Sequence, residues 1–134
     1  MLRNFFLPGF WAISILFLSS IPSDELPDFS FWNLIGIDKL AHVFMYGIFA
    51  FLISRAYAIQ SSNSAISFNS GKIAATISII YGGLIEVWQE YILTYRYGEW
   101  LDFLFNVLGT FLGIWIYRKI NKNKLVKTTD IKSY

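Results

Sequence analysis

The sequence has no cysteine and a single histidine. Disulfides and thiolate metal centres are therefore excluded, and the redox compartment stays open. Charge is scarce too: 15% of residues are charged, against about 25% in soluble domains. No H-E-x-x-H or similar close-spaced ligand motif is present, so neither a metal nor a cofactor is expected. A metal variant of the site would draw on His42, Glu86 and Asp102. Ser19 and Ser20 are the only evident nucleophiles, which disfavours covalent catalysis. The basic C-terminal residues lack an aromatic or motif context for reading bases, so nucleic-acid binding is not indicated. There is no internal repeat, and the Ser/Asn-rich run over 60–71 reads as a linker.

What the sequence has in abundance is apolar surface. Hydrophobic residues make up 55% and aromatics 19%, with a mean hydropathy of +0.49. A membrane helix needs about 20 mainly apolar residues, and four stretches qualify, allowing for polar residues at their ends: 5–21, 39–57, 73–93 and 101–117. These predict an all-α membrane protein, a bundle of four transmembrane helices. Residues 1–120 would form the domain and 121–134 a basic cytoplasmic tail. Pro8 suits a first helical turn, where its missing N–H is harmless. Between the first two spans, Pro22 and Pro27 with Phe29, Phe31 and Trp32 suggest an interfacial loop, because aromatic rings favour the headgroup level. The first span also has a signal-peptide reading, with Arg3 as its charged start. Leu18 sits poorly at the −3 position for cleavage after Ser20, so a retained anchor is expected.

Orientation follows from the Lys and Arg distribution in short loops. Arg3, Arg55, Lys72 and the tail cations from Arg118 onward fall on one side, and only Lys39 and Arg96 on the other. Both termini are therefore expected inside the cell. The acids Asp24, Glu25, Asp28, Asp38, Glu90 and Glu99 lie on the opposite side.

Several polar residues sit inside or at the rim of these spans: Asp38, Lys39, His42, Glu86, Gln89, Asp102 and Asn106. Charges at a helix centre cost about 2.5–3.5 kcal/mol on insertion, so they need partners or water. At a rise of about 1.5 Å per residue, counting from Lys72, Arg55 and Arg118, Glu86 lies about 21 Å up, His42 about 20 Å, Asn106 about 18 Å and Asp102 about 24 Å. Three helices thus contribute to one layer in the outer third of a hydrocarbon core about 30 Å thick. Asp38, His42 and Tyr46 share a face at i, i+4, i+8, as do Glu86 with Gln89 and Glu90, and Asp102 with Asn106. Asn106 continues through Gly109 to Gly113, a small-residue track suited to close helix packing. Interhelical hydrogen bonding explains any one of these residues; their convergence at one level argues for a site.

The order Ser19-Ser20-Ile-Pro, Asp38-Lys39-x-x-His42 with Tyr46-Gly47, Glu86-x-x-Gln89, Arg96 and then Asp102-x-x-x-Asn106-x-x-Gly109-x-x-x-Gly113 resembles the VanZ-like family. That family takes its name from a small membrane protein associated with teicoplanin resistance. The resemblance implies about four membrane helices, a bacterial inner membrane, and Asp38, Lys39, His42, Glu86, Gln89, Arg96, Asp102 and Asn106 as site residues. It assigns no biochemical activity. Arg96 is followed by Tyr97-Gly98-Glu99 where small or hydroxyl residues are expected, which places Glu99 as a partner for Arg96.

Two classes of function follow as expectations. In the first, the protein binds or processes an anionic amphiphile or cell-envelope component at the outer leaflet, affecting glycopeptide susceptibility. His42 and Glu86 would act as base and acid, and Asp38 or Asp102 would orient the imidazole. Lys39 and Arg96 would hold an anionic headgroup, with Gln89 and Asn106 supplying hydrogen bonds. The partners would be the lipid bilayer and a lipid-linked or cell-wall precursor, or the antibiotic itself. In the second class the polar layer is an ion-pair network in a non-catalytic membrane scaffold. Transport fits poorly, because polar residues are missing from the inner half of the spans.

Overall fold

A computed structural model describes residues 2–21, 36–60, 64–94 and 98–131. The described residues form helices and contain no strand. A 3-10 turn at Leu2–Phe5 leads into α1 (Phe6–Ser19), followed by α2 (Ile37–Gln60), α3 (Ser64–Tyr91) and α4 (Trp100–Ile131). Pro8 lies in the first turn of α1, as its chemistry requires. The chain enters α2 through Gly36, whose φ of +61° is a conformation that L side chains rarely adopt. The amide of Leu40 then donates to the Gly36 carbonyl at 3.1 Å, closing the first turn.

The long helices carry apolar stretches at Asp38–Gln60, Asn69–Tyr91 and Trp100–Asn121 that are long enough to cross a membrane. The N-terminal apolar helix, Arg3–Ser19, is shorter. It rises about 25 Å as an α-helix, near the lower limit for a span. The observed bounds lie close to those read from hydropathy, except where helix continues into polar sequence. Residues 64–71, read as linker, form the first turns of α3 instead. Backbone hydrogen bonds can build a helix without apolar side chains, so hydropathy alone could not mark this start. The interfacial-loop residues 22–35 lie outside the described residues.

The packing is inverted relative to a water-soluble bundle. Large apolar side chains such as Phe10, Ile13, Phe44, Leu84, Phe111 and Trp115 face outward, while Ser54, Ser78 and Thr110 are fully buried. In lipid this inversion is favourable, because small residues let helices approach closely. A core of Ile15, Tyr46, Phe49, Ala50, Ile53, Ala74, Ile85 and Ile114 joins all four helices.

The most extensive contact is between α2 and α4, where the helices meet backbone to backbone. A Cβ at Gly109 would overlap the Val43 carbonyl, and one at Gly113 the carbonyl of Gly47. The expected small-residue track on α4 is therefore its packing face toward α2. Helix α1 is tied down by side chains. Trp11 Nε1 donates to the Met45 carbonyl at 2.9 Å and Tyr81 Oη to the Ala12 carbonyl at 2.7 Å. This topology brings the start of α2, the end of α3 and the start of α4 to one end of the bundle.

Candidate functional site

At that end the helical periodicities converge. On α2, Asp38 is exposed in the first turn, while His42 is 2% exposed and Tyr46 fully buried, so the shared face turns inward with depth. On α4, Asp102 is 5% exposed and Asn106 fully buried one turn further on. On α3, Glu86 is half-buried and Gln89 fully buried. Five residues expected at the site, Asp38, His42, Glu86, Asp102 and Asn106, meet in one cluster, with Lys39 beside it.

The cluster has a directional hydrogen-bond line. Asn106 Nδ2 donates to Glu86 Oε1 at 3.1 Å. A carboxylate only accepts, so the Asn106 amide must present its oxygen on the other side. That oxygen lies 2.8 Å from His42 Nδ1, which therefore carries a proton and donates it. The second Glu86 oxygen accepts from the backbone N–H of Glu99 at 3.1 Å. Both ends of the Asn106 amide and both Glu86 oxygens are thus engaged.

The other imidazole nitrogen faces carboxylates. His42 Nε2 lies 3.7 Å from Asp102 Oδ2 and 4.0 Å from Asp38 Oδ1. The remaining Asp102 oxygen, Oδ1, is buried without a hydrogen-bond partner. Lys39 Nζ approaches it at 3.8 Å and reaches Glu99 Oε2 at 3.6 Å. These are ion-pair distances, too long for hydrogen bonds.

Gln89 belongs to a different contact. Its Nε2 donates to the Ser19 carbonyl at 3.0 Å, which fastens the end of α3 to the end of α1. Arg96 lies outside the described residues. Two participants were not singled out from the sequence as site residues. Glu99 pairs with Lys39, and Gly98 lets the α3–α4 connection pass close to α3. A Cβ on Gly98 would meet the Glu86 carbonyl oxygen at 2.5 Å, and the Gly98 amide donates to Glu90 Oε2 at 3.1 Å. The signal was a glycine beside an acid in a short connection, and only the folded chain gives it a partner.

An apolar cleft of about 360 Å³ opens beside the cluster, walled by Gly83, Val87, Trp100 and Phe103, with Glu86 and Glu99 at its polar edge. The arrangement combines an oriented imidazole, a three-residue carboxylate–imidazole group and an adjoining apolar space.

A family model described as VanZ/LLP1 matches residues 4–122, nearly the whole chain. No curated protein and no solved structure matches.

Proposed function

This chain belongs to the VanZ/LLP1 family, and we propose that it binds or processes an amphiphile of the cell envelope from within the membrane. The observation that carries this reading is the Glu86 end of the His42–Asn106–Glu86 line, which borders an apolar cleft. The cleft has the composition to take an acyl or prenyl chain; its polar edge is acidic, with Glu86, Glu90 and Glu99, so an anionic headgroup would have to reach Lys39 beside Glu99. With Nδ1 committed to Asn106, the atom of His42 left to accept a proton is Nε2. Glu86 orients the imidazole through Asn106, and Asp38 and Asp102 stabilise it when charged, a division of labour familiar from other base–orienter arrangements. Hydrolysis or group transfer by an activated water is the chemistry that fits. Lys39, with Arg96, supplies the positive charge for an anionic headgroup.

The protein sits, in this reading, in a bacterial inner membrane with both termini inside, so that the cluster serves the outer leaflet. A change in teicoplanin susceptibility would be one consequence of acting on envelope components there. The second reading is a non-catalytic scaffold whose polar layer is a fixed network. The full engagement of Glu86 and Asn106 favours it.

Native mass spectrometry of the purified protein, offered a polyprenyl phosphate and a zwitterionic phospholipid, separates these readings. Wild type should retain the anionic amphiphile preferentially, and Gly83→Leu, which fills the cleft, should lose it. Equal retention by both proteins would leave the scaffold standing. For the antibiotic branch, a teicoplanin-sensitive bacterium would express wild type, His42→Ala or Glu86→Gln at equal membrane levels, with vancomycin as control. Protection by wild type that both variants lose supports an active polar site; protection retained in the variants removes the site as its cause.

A further inference from the structure

The acid-rich half of the cluster raises a question of charge that its protein partners do not answer. Nδ1 of His42 is the protonated nitrogen, so in the neutral ring Nε2 presents a lone pair. That lone pair faces Asp102 Oδ2 at 3.7 Å and Asp38 Oδ1 at 4.0 Å, beyond hydrogen-bonding reach. With the ring neutral, three electron-rich atoms converge there with no proton shared between them. Asp102 is 5% exposed, and its Oδ1 has no hydrogen-bond partner, only the Lys39 ammonium at 3.8 Å, although burying a carboxylate without hydrogen bonds is costly. Among the described residues this end of the bundle carries Asp38, Glu86, Glu90, Glu99 and Asp102 against Lys39 and His42.

We infer that Asp38, His42 and Asp102 bind a divalent metal ion through His42 Nε2 and one oxygen of each carboxylate. One ligand atom from each residue lies within 4.8 Å of the others. Three donors held at about 2.0–2.2 Å from one ion lie roughly 3.3–3.8 Å apart, so the 3.7 Å from Nε2 to Asp102 Oδ2 already fits. The two Asp38 distances, 4.0 Å to Nε2 and up to 4.8 Å to Asp102, must shorten. The Asp38 side chain is 52% exposed and sits in the first turn of α2, so a rotamer change supplies that movement.

The second layer has the form a metal site requires. A metal-bound histidine usually donates its other ring N–H to an oxygen acceptor, which fixes the tautomer. Here that acceptor is Asn106 Oδ1, itself held by Glu86. One nitrogen and two carboxylate donors, with no thiolate in the chain, suit a hard-to-borderline ion such as Mn2+ or Zn2+. The sequence contains the relevant spacing in a form easily passed over, because Asp38 and His42 stand at i, i+4 on one helix face. Glu86, the carboxylate that sequence reasoning would have chosen, is separated from the ion by Asn106. An ion held by Nε2 would take the place of His42 in activating water and would let an acidic site accept an anionic headgroup, but the metal site stands without that function.

The test is metal binding to the full-length chain in detergent, stripped with EDTA and titrated with Mn2+ under electron paramagnetic resonance. Wild type should bind one Mn2+ per chain saturably. Asp38→Asn, at an exposed position, should weaken binding tenfold or more. Asn106→Leu, which removes the imidazole's acceptor, should weaken it about 10–100-fold. Glu90→Gln, an exposed acid outside the triad, should leave binding unchanged. Absence of a saturable site up to about 1 mM, an unchanged affinity in Asp38→Asn, or an equal loss in Glu90→Gln overturns the proposal. Because the probe is Mn2+ alone, metal binding can succeed where amphiphile retention fails, and the reverse.

Discussion

Asn106 Oδ1 accepts a hydrogen bond from His42 Nδ1 at 2.8 Å, and the two residues face each other across the α2–α4 interface, where the helices are in backbone contact. The amide can satisfy His42 only in one orientation, because its nitrogen is held by Glu86. One buried side chain thereby links three helices and sets which imidazole nitrogen is available. The backbone contact at Gly109 and Gly113, one and two turns below, leaves that spacing little freedom.

Replacing Asn106 with Leu leaves the His42 N–H and one Glu86 oxygen without partners in a nearly dry interface. An unsatisfied buried group costs about 1–3 kcal/mol, so the variant should unfold in SDS titrations at clearly lower denaturant than wild type. Asn106→Asp tests the direction of the bond. A carboxylate still accepts from His42 but meets Glu86 with repulsion, so no rescue is expected.

The glycine track should be intolerant of any side chain. Gly113→Ala places a methyl group into the Gly47 carbonyl and forces α2 and α4 apart. Overpacking of this kind costs about 1–3 kcal/mol, well above the small helix-propensity gain of alanine. Gly9→Ala is the control, since nothing lies within 4 Å of a Cβ there. It should be neutral or stabilising by up to about 1 kcal/mol. Circular dichroism during SDS titration reads both.

Lys39 and its two acids should contribute unequally. Glu99 is exposed, so Glu99→Gln should change stability by less than about 1 kcal/mol. Asp102 is buried, so Lys39→Met leaves its carboxylate with one cation fewer and should be the more destabilising change. If the cost comes from that uncompensated charge, Lys39→Met with Asp102→Asn will recover part of it. Equal effects of Glu99→Gln and Lys39→Met would show that the Asp102 pairing contributes nothing.

The parts legible in the sequence were those governed by local periodicity and solvent. Helices α2 to α4 follow from apolar length, and the inward faces of Asp38–His42 and Asp102–Asn106 follow from the i, i+4 rule. Helix ends were less legible, because residues 64–71 and the basic run after Asn121 are helical without being apolar. The pairing of Lys39 with Glu99 was not legible either. It depends on how the α3–α4 connection folds back past Gly98, a close approach that no pattern along the chain encodes. Gln89 illustrates the converse. Its spacing from Glu86 matched the site, but it lies one turn nearer the helix end, where Ser19 is its neighbour.

Sidedness has its own test, one that the missing cysteines make clean. Thr94, exposed in the α3–α4 connection, and Lys119, exposed near the opposite end of α4, lie at the two ends of the bundle. The positive-inside rule puts Lys119 with Arg118 and the basic tail in the cytoplasm, and Thr94 outside. A membrane-impermeant maleimide applied to intact spheroplasts should label Thr94→Cys and spare Lys119→Cys until the membrane is broken. The reverse pattern would place the His42–Asp102 cluster at the inner leaflet. Its substrates would then have to come from the cytoplasmic side, and an effect on a glycopeptide acting outside the cell would lose its physical basis.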